Sequence, residues 1–179
     1  MSIDTIIDGV IGREGRYSNN AADAGGETMW GITVGTARRN GYKGAMASMP
    51  RATAVAIYRA EFVVGPGYAA LLPISAAIAE KLVDIGVNCG PAVGSMALQR
   101  LLSALNNGGK DYPDLLVDGA LGDKSRCALV AFLKKRGAEG EQRLLTGLRG
   151  VQTERYLDIT EKRPANEAFF YGWLGRAAA

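Results

Sequence analysis

Histidine is absent from all 179 residues, and cysteine occurs only twice, at Cys89 and Cys127. Without histidine no His-based triad can form, and two thiols cannot complete the usual four-ligand zinc shell. Neither a metal nor a cofactor is therefore expected. A cytosolic chain of this size needs no covalent staple, so the two thiols are expected to stay free. No stretch approaches the roughly 18 apolar residues that a membrane span needs. The opening MSIDTIIDGVIGREG has no basic leader and carries Asp4 and Asp8 inside its apolar pattern. It does not read as a signal peptide, and the expectation is a protein made and folded in a cytosol. Any acid–base chemistry must then rest mainly on Asp and Glu.

What is present is an ordinary globular composition, 47% hydrophobic and 22% charged, long enough for one domain with a substantial core or one domain with an appendage. The net charge of +3 is unevenly spread. From Lys124 onward there are 11 Lys/Arg against 6 Asp/Glu, a local balance of +5 that leaves −2 for the remainder. A basic C-terminal third suits an anionic partner such as a wall polymer or an outer-membrane lipid, and equally a solvated helix face. The modest net charge and the lack of a recognition motif argue against nucleic acid.

Ile3, Ile6, Ile7, Val10 and Ile11 recur at helical spacing and predict an amphipathic first helix, with Ser2 or Asp4 as its cap and Gly15 as a stop. Residues 16–33 lose that period. Asn19-Asn20 and Gly25-Gly26 read as turns bounding short strands of a hairpin. Thr33 is placed to cap a short helix ending at Asn40-Gly41, and a helix is expected to open at Ser48-Met49-Pro50. Gly65-Pro66-Gly67 breaks the chain before a nearly all-apolar helix, PISAAIAEKLVDIGVNCG, and a second, AVGSMALQRLLSALN. Asp123 is expected to cap a helix ending at Gly137, and Pro164 to interrupt the last long helical segment. The fold class is mainly α with a small β-hairpin or irregular lobe near residues 16–33. Residues 1–107 are expected to form one region and 108–179 a second helical one packed on it.

Glu14 falls where the first apolar helix ends. A carboxylate there is on the unfavourable side of the helix dipole, which raises its pKa and suits a general acid. Asp23 and Thr28 follow, and if the loop folds back all three can face one cleft. Glycosidic cleavage needs a protonated carboxyl at the leaving oxygen and often a second polar group to hold water. From spacing alone two readings stay open: this acid-and-water arrangement, or a helix-end charge with a turn-capping aspartate. Glu27 is an alternative second carboxylate. Tyr17 and Trp30 can stack on sugar rings or serve as hinge packing. Asn88 can hydrogen-bond an N-acetyl group or cap its helix, and Gln99 is a weaker candidate for the same contact.

Glu14-Gly15-Arg16-Tyr17 together with DAGGETMWGIT at 23–33 resembles the N-terminal signature of glycoside hydrolase family 108, N-acetylmuramidases of bacteriophages and prophages. DIGVNCGP, ALQRLL and FFYGWLGR also resemble that family, and VDGALGDKS resembles a turn of its predicted peptidoglycan-binding region. The resemblance implies a lysozyme-like helical fold and hydrolysis of the β-1,4 bond between N-acetylmuramic acid and N-acetylglucosamine, with Glu14 as the essential acid. Asp23 and Thr28 carry over as the groups that position water. The sequence departs from the family's E-G-G-Y pattern at Arg16, which replaces the second glycine. The implied protein is a monomeric phage endolysin, held in the host cytoplasm until released, whose partner is the peptidoglycan glycan strand. A lytic transglycosylase leaving 1,6-anhydro products and a non-catalytic wall-binding protein are the alternatives.

Overall fold

The computed structural model describes residues 2–13, 17–19 and 26–178. They fall into two compact units, Met1–Gly65 and Pro66–Ala179. Both are built mainly of α-helix, and among the described residues the only sheet is a two-stranded antiparallel hairpin. This is the mainly α, lysozyme-like class expected from the sequence.

In the first unit, α1 (Ile3–Arg13) buries all five residues of its apolar stripe. Each such side chain is worth about 1.5–3 kcal/mol relative to exposure. Ser2 is its cap: the Thr5 amide donates to Ser2 Oγ at 3.1 Å, while Asp4 sits in the first turn and pairs with Arg59. Helix α2 (Val34–Arg39) starts at Thr33, whose Oγ1 accepts from the Thr36 amide at 3.2 Å, and stops at Asn40. Helix α3 (Arg51–Arg59) begins just after Pro50, which stands in extended conformation as the residue before the first turn rather than inside it. The pairs Asp4–Arg59 and Asp8–Arg51 join α1 to α3 in reverse order, so the two helices run antiparallel. A wider π-type turn, Ala60–Val64, closes the unit.

The second unit is a bundle of longer helices: α4 (Ala76–Cys89), α5 (Pro91–Ala104), α6 (Asp123–Lys162) and α7 (Glu167–Ala178). Ser75 caps α4 through the Ile78 amide at 3.1 Å. Pro91 is the first residue of α5, where its missing N–H costs nothing. Between α4 and α5 lies Tyr68, fully buried, with its hydroxyl donating to the Pro91 carbonyl at 2.6 Å. Burial pushes its phenol up to about 12. A Cβ on Gly94 would stand 2.6 Å from that hydroxyl, so only glycine leaves the space. Helix α6 bends sharply at Gly137, whose φ of 59° and ψ of −152° lie outside the helical region, at the position where the sequence places a helix end.

One expectation is corrected in this unit. Asp123 is not the cap of α6: Gly122 holds that position, and Asp123 sits in the first turn and pairs with Arg126. Cys89 is half-buried, and desolvation raises its thiol to about 11. Helix α7 docks by only part of its aromatic set: the Trp173 ring packs on the buried Tyr156 of α6, 5.2 Å between centroids. Phe169 and Tyr171 are 59% and 90% exposed, and the one buried residue of the helix is Ala177. Polar bonds fasten α7 as well: buried Lys81 of α4 donates to the Ala177 carbonyl at 2.9 Å, and Arg176 donates to the Asn88 side-chain oxygen. The Lys81 ammonium is lowered, first by burial and against the opposing pull of Asp84. Positions 107 and 108, the expected boundary, lie in the loop between α5 and α6 within this second unit.

Candidate functional site

The expected site falls on the segment between α1 and α2. Glu14 follows directly on the last residue of α1, and both it and Asp23 lie outside the described residues, as do Gly15, Arg16 and Gly25. Ser18 and Thr28 form an antiparallel bridge, with the Ser18 amide donating to the Thr28 carbonyl at 3.0 Å and the Thr28 amide donating back at 2.8 Å. That bridge ties the two ends of segment 19–27, which contains Asp23, to each other, and brings Tyr17 beside the strand that carries Thr28.

Strands β1 (Thr28–Met29) and β2 (Ile32–Thr33) pair with Thr28 opposite Thr33 and Met29 opposite Ile32. Met29 and Ile32 are buried, so by the alternation of a strand Thr28 and Thr33 share the other face. Thr28 is bonded to Ser18 on one side and faces Thr33 on the other. Among the described residues no side chain holds its hydroxyl. Glu27 precedes it, half-buried, with its carbonyl taking the Val34 amide at 2.8 Å. Tyr17 is exposed.

The tight turn of the hairpin is Trp30-Gly31, a two-residue loop that the sequence reading does not locate. Both residues have positive φ, 58° and 75°, as a type I′ turn requires. Glycine accepts this freely, whereas a bulky side chain there is strained by about 1–3 kcal/mol. Two bonds oppose the strain. The Trp30 indole N–H donates to the Met49 carbonyl at 2.9 Å, and the buried Tyr58 hydroxyl donates to the Trp30 carbonyl at 3.1 Å. Asn-Gly and Asp-Gly are the usual signals for this turn, and neither occurs here. The partners Met49 and Tyr58 are distant in sequence, so no local pattern could reveal them.

Asn88 belongs to the second unit. Its amide nitrogen donates to the Asp84 carbonyl at 2.6 Å and to the Asp84 carboxylate at 3.0 Å, and its oxygen accepts from Arg176. The VDGALGDKS turn has a structural holder. Gln99, fully buried, donates to Asp118 Oδ1 at 2.8 Å and to the Ala120 carbonyl at 3.0 Å, and accepts from the Gly119 amide at 3.0 Å. The Ala120 amide and the Gln99 amide together hold the exposed Asp118 carboxyl below its usual range. Among the described residues no cluster of three metal-ligating side chains occurs, and no helix is long and apolar enough to cross a membrane.

Residues 7–90 match the family model for glycosyl hydrolase 108, and residues 93–178 match a predicted peptidoglycan domain. The solved structure of Brucella abortus SagA is similar over 98% of this chain and 88% of its own, with a TM-score of 0.67 and 22% identity. At that identity the likeness speaks for the fold. A search of curated proteins found no match. With the Glu14, Tyr17 and Thr28 positions inside the matched span and the helical fold in agreement, this chain is similar to the glycosyl hydrolase 108 family over its first half and to a predicted peptidoglycan domain over its second.

Proposed function

We propose that this glycosyl hydrolase is a muramidase of the phage endolysin type, hydrolysing the β-1,4 bond between N-acetylmuramic acid and N-acetylglucosamine. The observation that carries the reading is the Ser18–Thr28 bridge. It joins Ser18, four residues after Glu14, to Thr28 of β1 and so ties together the two ends of the segment holding Asp23, within the span matched to the family. The pairing of that span with a peptidoglycan domain supports the substrate class.

In the mechanism, the Glu14 carboxyl donates its proton to the glycosidic oxygen as the bond to the anomeric carbon breaks. A water held by Asp23 and the Thr28 hydroxyl adds to the opposite face of that carbon, and Asp23 takes the water's proton. The product is a reducing sugar of inverted configuration. Inversion needs the two carboxyls about 6.5–9.5 Å apart to leave room for the water, and a separation near 5 Å would favour retention instead. Tyr17, exposed beside the bridge, is placed to stack on a sugar ring, and Glu27 is the second candidate for Asp23's part. Trp30 has its N–H committed to Met49 and is assigned to the hairpin rather than to substrate. Asn88, engaged by Asp84 and Arg176, is given no substrate contact. The basic C-terminal third would favour anionic wall polymers, and the enzyme would wait in the host cytoplasm and act on the wall once released.

Product mass spectrometry on purified peptidoglycan, with the native chain and Glu14→Gln, tests this. Hydrated disaccharide products from the native chain alone are expected. Products lighter by one water would make the enzyme a transglycosylase, and full activity in Glu14→Gln would remove the acid assignment. Sedimentation with peptidoglycan without any product would leave a binding protein.

A further inference from the structure

A left-handed tryptophan is an expensive way to build a two-residue turn, since Asn-Gly would make the same turn without strain. The strain is maintained from outside the hairpin, by α3 and by the residue that leads into it. Met49 lies immediately before Pro50 and α3, and Tyr58 lies within α3. The same helix is paired to α1 through Asp8–Arg51 and Asp4–Arg59. Helix α1 runs directly into Glu14, and the hairpin begins at Thr28, two residues before Trp30. Helix α3 and the residue before Pro50 thus serve as a common reference for both: Tyr58 of α3 grips the turn at its carbonyl, Met49 holds its indole, and α3 pairs with the helix that precedes the acid in sequence.

We infer that Trp30 and Tyr58 are positioning residues of the glycosidase, gripping the hairpin from both sides so that the Thr28 hydroxyl stands where the reacting water must be held. The inference rests on the reading of Thr28 under the proposed function. Neither residue touches substrate in this role. Their contribution is orientation, and a small misplacement of a group that holds the nucleophile costs up to about a hundredfold in rate.

Three variants of the full chain separate this role from a merely structural one. Tyr58→Phe removes only the hydroxyl that grips the Trp30 carbonyl. Trp30→Asn removes the indole anchor and leaves the residue pair that favours the turn. Thr28→Val removes the positioned hydroxyl. Rates on soluble glycan fragments of peptidoglycan, taken across substrate concentration, should show kcat lowered about tenfold to a hundredfold in Tyr58→Phe and Trp30→Asn, with KM little changed. Thermal unfolding should show both still folded. Tyr58→Phe added to Thr28→Val should slow the enzyme little further, because the two act through one group. A folded Tyr58→Phe with native kcat overturns the inference, as does a double variant in which the two losses multiply. If Trp30→Asn fails to fold, the Tyr58–Thr28 pair decides alone. Glu14→Gln reports separately on the parent reading: should it stay active while Tyr58 still acts through Thr28, the acid is misassigned and the positioning role stands.

Discussion

In residues 1–65 polar side chains tie short elements to one another near the surface. Asp8 reaches Arg51, Asn40 donates to Glu61 at 2.7 Å, and Tyr58 reaches over to the Trp30 carbonyl. In residues 66–179 the decisive polar groups lie inside the bundle. Gln99 holds a whole loop, the Tyr68 hydroxyl fills the notch at Gly94, and Lys81 is buried against the end of α7. The first arrangement tolerates a strained tryptophan and a long connection between α1 and β1. The second uses buried hydrogen bonds to fix long helices. Strain collects where orientation of a few groups matters, and satisfied burial where stability does. Substitutions should therefore separate rate from stability according to the unit in which they fall.

The largest separation is expected from Glu14→Gln set beside Leu98→Ala. The first should lower the rate about 10²–10⁴-fold with an unchanged unfolding midpoint, which is what removal of a general acid costs. The second opens a cavity at a fully buried side chain. It should cost about 2–5 kcal/mol of stability by urea unfolding, while the protein that remains folded keeps its kcat. Equal loss of stability in both would break the contrast.

Gly94→Ala should follow at about 1–3 kcal/mol, because its methyl group would meet the Tyr68 hydroxyl and the Leu82 carbonyl, 3.1 Å away. Tyr68→Phe in the same chain removes the nearer of these atoms and should restore part of the loss, a non-additivity that urea midpoints can read. Gln99→Leu should cost a similar or smaller amount, about 1–3 kcal/mol, by leaving the Gly119 amide and Ala120 carbonyl without their partner. Hydrogen exchange at Gly119 should accelerate in that variant and stay unchanged in Gly94→Ala.

The smallest effect concerns acid. The Asp118 carboxyl is held below its ordinary value of 3.8 in the folded state. Its contribution is thus fully present above that pH and is lost as the pH falls through the lowered folded value. Asp118→Asn should flatten this part of the stability profile below about pH 4. An unaltered slope there would show that the carboxylate adds nothing at this exposed position.

Much of this molecule could be read from local pattern. The apolar spacing of α1, the turn at Gly137 and the caps at Ser2 and Thr33 all depend on residues within four positions of one another, and the structure bears them out. What escaped was held from a distance. The turn at Trp30-Gly31 depends on Met49 and Tyr58, and a tryptophan at positive φ is no turn signal on its own. The notch that seats Tyr68 pairs it with a glycine on another helix. Composition does not reveal which aromatics of α7 are covered: Trp173 meets Tyr156, while Phe169 stays exposed. For the proposed acid pair, Glu14 and Asp23, the sequence offers spacing alone, and both lie outside the described residues. Thr28, Tyr17 and Glu27 lie in or beside the small hairpin lobe.

The Lys81 bond to the Ala177 carbonyl reverses the usual order in which a terminal helix comes undone. Helix ends ordinarily fray first because their outer turns have the fewest contacts. Here the last turn of α7 is fastened by Lys81 and by Asn88 through Arg176, and its middle by Trp173 on Tyr156, while its first turn carries exposed Phe169 and follows the proline-led turn at 164–166. Opening of α7 should therefore begin at Glu167 and travel outward, so that its final turn is the last part of the helix to be released.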